Sequence, residues 1–370
     1  MIRRALRQDR HSGNRNTFRP WAIGFTLVEL LVVISIVGVL ASLLLPAIQS
    51  SRETARRSLC QSHIKQICLA LQSYHDVTST FPAAVTIDPA NNAPERALRH
   101  EPNWVIRLLP HLEMQNLHDT FTFHDPVTNE MIAVSDPANR EARGTSLELM
   151  LCPTDGFNQE TLFAGRSSQE GDNWARGNYG SNAALGFMVR IGSNPAGGPG
   201  TQYWEDPRTR GVMGLNVSLR LEQVTDGTSN TLLLGELRAG VSSSDPRGVW
   251  ALGAHGSSSL WGHGADNGNG PNACQPDGDG LFGCGRIRGS VGGTDALAAE
   301  CMSCDSIAGQ GGAKSLHPGG INAGFVDGSV RYLHDDIDKG TQWELNPEKY
   351  HTWQRLCASG DGQAVVSADY

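Results

Sequence analysis

Glu29 is the only charged residue between positions 25 and 48, and it sits four residues after the Gly24-Phe25 bond, which follows a strongly basic leader. A carboxylate inside an apolar helix is costly in a membrane and is normally matched by a partner. Cleavage between Gly24 and Phe25 would free an amine on Phe25 that could serve as that partner. If the chain is cut there, the segment's chemistry is processing and assembly through an amine–carboxylate pair, which argues against a soluble enzyme.

Three other sets of residues could carry chemistry. His317 is followed nine residues later by Asp327-Gly328. Asp-Gly between strand-forming residues predicts a two-residue type I′ hairpin turn with positive φ at both positions. His317 is then expected to hydrogen-bond a neighbouring loop, because one His with one Asp is an incomplete metal or catalytic set. Asp226-Gly227 is read in the same way, as a turn ahead of a strand. Asp277 and Asp279, alternating with glycines, place two carboxylates on a flexible loop, which suits the oxygen preference of calcium, although the remaining ligands of a calcium-binding loop are missing. The third set is the eight cysteines. Cys274 and Cys284 bracket the acidic loop and Cys301 and Cys304 form a C-x-x-C, so each pair is expected to close a local disulfide, with a four-cysteine zinc site as the alternative. Cys60 and Cys68 are separated by about 12 Å of helical rise and cannot bond each other. Either can pair with Cys152, and Cys357 has no assignable partner.

Several patterns are decoys. Residues 308–315 resemble a phosphate loop but carry alanine where both required glycines belong, and the chain has neither a G-x-S-x-G elbow nor an H-E-x-x-H helix.

The elements that must position these residues follow from hydropathy and charge. Residues 1–24 hold six arginines and one acid, a leader that should stay on the cytoplasmic side. Residues 25–48 form a transmembrane segment long enough to span a hydrocarbon core of about 30 Å. Residues 49–80 read as an amphipathic stalk helix: Cys60, Ile64, Ile67, Cys68, Leu71 and Tyr74 share one face and Arg52, Glu53, Arg56, Arg57 and Lys65 lie off it. Pro46 lacks an N–H and should kink the combined helix. Residues 81–370 form an extracytoplasmic head in which 103–117 predict a short helix with a proline break. Strand signals are brief, at 211–215, 231–237, 249–252, 323–326 and 329–333. A Gly-rich stretch, about 253–312, is expected to be an insertion with little regular structure. The fold class is α+β, a long kinked N-terminal helix packed on a loop-rich head with an antiparallel sheet of short strands. Removing a leader of net charge +5 takes the formal charge from −8 to −13, an acidic body that gives no support for nucleic-acid binding.

With these elements in order, the sequence resembles the prepilin-type proteins of type IV pili and type II secretion pseudopilins, whose leaders end in G-F-x-x-x-E. The resemblance implies cleavage after Gly24 by a membrane prepilin peptidase, N-methylation of Phe25, and pairing of Glu29 with the N-terminal amine of a neighbouring subunit. It also implies an inner-membrane, single-pass location, contacts with lipid and an assembly platform, and a calcium site in the head of the major pseudopilins. The C-terminal signature His317-x9-Asp327-Gly328 resembles that of a large bacterial prepilin-like family of unknown function. So do Leu151-Cys152-Pro153-Thr154-Asp155, Asn178-Tyr179 and the run from Asp226-Gly227 to Glu236. The expectation is a structural subunit of a pilus-like filament or secretion pseudopilus, and not an enzyme. The alternative is a membrane-anchored extracytoplasmic binding protein or hydrolase that uses the helix only as a tether.

Overall fold

The computed structural model describes residues 26–86, 102–160, 162–165, 170–185, 206–254, 256–261, 270–275, 279–281, 283–305, 311–340, 346–363 and 365. It divides into two units, Met1–Arg52 and Glu53–Tyr370.

The first helix, α1 (Leu27–Thr78), remains helical through Pro46. Its N-terminus is closed by a reciprocal pair: Glu29 accepts from the Thr26 N–H at 2.9 Å, and the Glu29 N–H donates to Thr26 Oγ1 at 3.2 Å. This is a capping box, which satisfies two otherwise orphaned helix-end donors. Between Leu27 and Ile48 the large apolar side chains are exposed, and this stretch is long and apolar enough to cross a membrane.

In the second unit, the predicted stripe of α1 is the one that is buried. Cys60, Ile64, Ile67, Cys68 and Leu71 are wholly inaccessible, and Tyr74 packs at their edge. They lie on a five-stranded sheet. Its strands are β1 (Tyr179–Ala184), β2 (Leu232–Glu236), β3 (Ser259–Trp261), β4 (Gly320–Phe325) and β5 (Val330–His334), in spatial order β3-β1-β2-β4-β5. The pairs β1–β2, β2–β4 and β4–β5 are antiparallel, as expected. The edge pair β1–β3 is parallel, so the sheet is mixed. β3 lies inside the Gly-rich stretch, which corrects the expectation that this stretch holds little regular structure. The stretch also contains helices Cys284–Val291 and Thr294–Ala299 around a small core of Leu281, Ile287, Leu297 and Met302.

Alternation along β4 serves two layers. Ile321, Ala323 and Phe325 pack with Leu333, Trp353 and Leu356 around the helix Thr352–Cys357. Gly324 points to α1, where an added Cβ would lie 2.5 Å from Cys68 Sγ and 2.9 Å from Ile64 Cγ2, so only glycine permits this close approach of helix and sheet. Asn103 caps the helix Trp104–Leu108, and Pro110 falls in the 3₁₀ turn Leu109–Leu112, as the proline break predicted. Strand β1 carried no sequence signal because Tyr-Gly-Ser-Asn-Ala-Ala has no β-branched residue. Its burial between neighbours makes it a strand.

Candidate functional site

Among the described residues, a dense group of reactive side chains lies under the N-terminal end of β4. Cys60 comes from α1, Cys152 from the loop after the 3₁₀ turn Glu148–Met150, Glu236 from the end of β2, and His317 from the loop leading into β4. All four are buried, and one ligand atom from each lies within 4.8 Å of every other. Glu53 stands one face-repeat before Cys60 on α1, so the same side of the helix presents both.

His317 organises the group. Its Nδ1 donates to Glu53 Oε1 at 2.5 Å, with Thr154 Oγ1 3.4 Å away. Its Nε2 is 3.4 Å from Cys152 Sγ and 3.4 Å from Glu236 Oε1. Burial disfavours the charged imidazolium, but the Cys152 thiol and the Glu236 carboxylate outweigh it and hold the His317 pKa up to about 11. Glu236 is fixed in turn by the backbone N–H and side-chain amide of Asn322, at 2.8 and 2.9 Å.

A second buried network sets the position of Cys152. The Cys152 N–H donates to Asn178 Oδ1, and Asn178 donates to Asp155, which also accepts the Ala239 N–H at 2.7 Å. Asn158 donates to the Cys152 carbonyl at 2.8 Å. Burial pushes the Asp155 carboxyl above its usual range, despite these donors and nearby Arg238. Leu151-Cys152-Pro153-Thr154-Asp155 and Asn178 are thus a mount for one thiol.

The two halves of the His317/Asp327-Gly328 motif do not meet. Strand β4 separates them, and each end touches α1. At the far end the Gly328 carbonyl accepts from Lys65 Nζ at 2.6 Å and the Val326 carbonyl from Gln72 at 3.3 Å. Glu53 and Gln72 are about 28 Å apart along a helix, close to the span of about ten extended residues. The spacing of the motif therefore matches a strand laid along the helix.

The hairpin tip also differs from expectation. Phe325 accepts the Gly328 N–H at 2.8 Å and donates to the Ser329 carbonyl at 2.9 Å. Gly328 has φ 79° while Asp327 stays at negative φ. This is a three-residue loop with a glycine bulge, not a type I′ turn. The cause is tertiary, since the Val326 and Asp327 amides donate to Thr231 and Thr228, joining this loop to the predicted Asp226-Gly227 turn.

Other expected sites resolve differently. Gly24, Phe25 and Asp277 lie outside the described residues. Asp279 is buried in an ion-pair cluster, 2.9 Å from Arg247 and 3.4 Å from Lys314, and it accepts the Gly312 N–H. Burial alone would raise its pKa, but Lys314 and Arg247 lower it. The Asp279 carboxylate is thus already neutralised by two cations of the protein. Lys314, the lysine of the phosphate-loop decoy, is occupied by the same cluster. The disulfides are Cys274–Cys301 and Cys284–Cys304, which corrects both local pairings. The helix Cys284–Val291 turns Cys284 toward Cys304, and Cys274 docks beside the end of Thr294–Ala299. Cys60, Cys68, Cys152 and Cys357 are free and buried.

Sequence reasoning missed Glu53, Cys60, Cys152 and Glu236 as partners of His317. The i, i+7 spacing of Glu53 and Cys60 was readable, but nothing local marked the convergence of the other two. It also missed Thr26-x-x-Glu29, whose capping-box pattern was legible.

Comparison with known proteins points in one direction. Type II secretion system core protein G of Pseudomonas aeruginosa is 37% identical over 60 residues, 16% of this chain and 42% of that protein. The Escherichia coli K12 protein of the same description is 34% identical over 91 residues, 24% of this chain and 63% of that protein. The Pectobacterium carotovorum one is 42% identical over 60 residues, 16% of this chain and 38% of that protein. The chain thus spans less than two thirds of the length of each relative. No solved structure matches. The model of the family described as "Protein of unknown function (DUF1559)" matches residues 49–340, most of the head and the stalk. The chain belongs to this family, as a pseudopilin-like member.

Proposed function

We propose that this protein is a structural subunit of a pilus-like filament. It is inserted in the inner membrane by residues 25–48, with the head on the extracytoplasmic side. A prepilin peptidase cuts it after Gly24, Phe25 is N-methylated, and α1 packs against the helices of other pilin-like subunits on an inner-membrane assembly platform. The supporting observation is Glu29, the lone charge of an otherwise apolar, exposed helical segment directly behind Gly24-Phe25. A pseudopilus of the type II secretion kind is favoured over a type IV pilus by the relatives named as type II secretion core proteins. Within the membrane, pairing of Glu29 with the Phe25 amine of a neighbour would fix subunit register more than add stability, because desolvation offsets much of the Coulomb gain.

Mass spectrometry of the mature N-terminus tests this. Methylated Phe25 at the N-terminus is the expected result. An intact leader, or an N-terminus near Ala47, would reject it in favour of a tethered binding protein or hydrolase.

A further inference from the structure

We propose that Cys60, Cys152, His317 and Glu236 form a four-coordinate site for a zinc-class divalent cation, which clamps the stalk part of α1 to the sheet and loops of the head. The inference concerns the unit Glu53–Tyr370 and holds whether or not the leader is processed.

The donor set is the first argument. Two thiolates, one imidazole and one carboxylate are the ligand types that zinc prefers, and four protein ligands without an open position make a closed, structural site. The geometry is the second. In a tetrahedral site with metal–sulfur bonds of about 2.3 Å and metal–nitrogen or –oxygen bonds of about 2.0 Å, neighbouring donors sit roughly 3.3–3.8 Å apart. The observed separations of His317 Nε2 from Cys152 Sγ and from Glu236 Oε1, both 3.4 Å, fall in that range.

Support for the ligands is the third and most specific argument. A metal-bound histidine characteristically donates its other ring N–H to a carboxylate, which fixes the ring and the coordinating nitrogen. The Glu53 carboxylate accepts in this way from His317 Nδ1, leaving Nε2 aimed at the cluster. The Glu236 carboxylate is oriented by two donors from Asn322, and the Cys152 backbone is held at both its N–H and its carbonyl. Four ligands drawn from four separate segments are each braced by a hydrogen bond or by burial. Cys60 belongs to the helix and the other three to the head, so a bound cation would cross-link elements far apart in sequence. Binding would replace the protons on both thiols and on Nε2.

The competing chemistry is a Cys60–Cys152 disulfide, which would remove two ligands. Of the other six cysteines, four are already joined as Cys274–Cys301 and Cys284–Cys304, and the free thiols of Cys68 and Cys357 lie outside the cluster.

The test uses full-length protein purified in detergent from cell envelopes. Elemental analysis should find one zinc per chain, with Cys60 and Cys152 alkylated only after denaturation in chelator. Cobalt exchanged for zinc should give a thiolate-to-cobalt charge-transfer band that Cys152→Ser abolishes, whereas Cys68→Ala, outside the cluster, keeps both metal and band. Glu53→Gln, a change in a positioning residue, should release zinc to a competing chelator about 10- to 100-fold more readily. Stoichiometric recovery of a Cys60–Cys152 disulfide peptide from unreduced protein would overturn the proposal. So would folded, thiol-reduced wild-type protein that takes up neither zinc nor cobalt. The wild-type measurements decide the matter even where a variant fails to fold.

Discussion

The His317 ring and the Glu53 carboxylate, 264 positions apart in sequence, are joined by a 2.5 Å contact. An acid on the flank of the stalk helix thereby reaches the imidazole at the centre of the head. This contact and the hairpin tip on Lys65 and Gln72 hold the two ends of one strand against α1.

Glu53→Ala removes a hydrogen bond between two groups able to carry charge, and the head should lose about 2 kcal/mol of stability. Denaturation of the full-length variant measures this. In a double-mutant cycle with His317→Ala, most of the loss should disappear, because either single change already breaks the contact. Fully additive losses would mean that the two side chains act independently.

Glu29 caps α1 through Thr26, and in the proposed function it separately supplies the charge for assembly. Glu29→Gln keeps the capping box, since glutamine serves as well at that position. Insertion and leader cleavage should therefore stay normal for Glu29→Gln. Filament incorporation should fall by about tenfold or more, the effect of losing little more than 1 kcal/mol of pairing. Quantifying the variant in sheared filament fractions tests this, and normal incorporation would remove the charge argument.

Two glycines control the seating of the hairpin on α1. Gly324→Ala drives a methyl into Cys68 and Ile64 and should destabilise the head by about 1–3 kcal/mol through overpacking. Gly328→Val combines a positive φ with a Cβ 2.8 Å from the Gln72 amide and should cost a similar amount, about 1–3 kcal/mol. Thermal melts of both variants provide the readout.

Non-reducing peptide mapping should recover Cys274 joined to Cys301 and Cys284 joined to Cys304. Replacing either pair by serines should lower stability by about 2–4 kcal/mol, because each bond closes a loop in the unfolded chain. Peptides joining Cys274 to Cys284 would contradict the fold of the Gly-rich stretch.

Asp361 makes the stability of the head depend on pH. Burial and the neighbouring Asp226 push its pKa up to about 7, while an unfolded aspartate ionises near 3.9. A raised acid is held protonated by the fold, so its contribution is fully present below about pH 4 and is lost as pH rises toward 7. Asp361→Asn should therefore raise the melting temperature relative to wild type at pH 8 and leave little difference at pH 4. Parallel melting curves across that range would check the slope.

The sequence alone determined the features that depend on neighbours in the chain. The basic leader, the bond at Gly24-Phe25, the isolated Glu29 and the apolar span are linear patterns. The buried stripe from Cys60 to Leu71 is a 3.6-residue period, and the hairpin at Asp327-Gly328 is a local turn signal. Each was legible because helix periodicity and turn preference act over a few residues. The tertiary structure decided which distant groups meet. It brought Glu53, Cys60, Cys152 and Glu236 to His317, took Asp279 into an ion-pair cluster, crossed the disulfides, and made a strand of Tyr179–Ala184. It also replaced the type I′ turn by a bulged loop, because Thr228 and Thr231 hold the tip. Such contacts are set by how α1, the sheet and the long loops stack, and the energy of burying a side chain depends on what covers it. No local spacing records that cover.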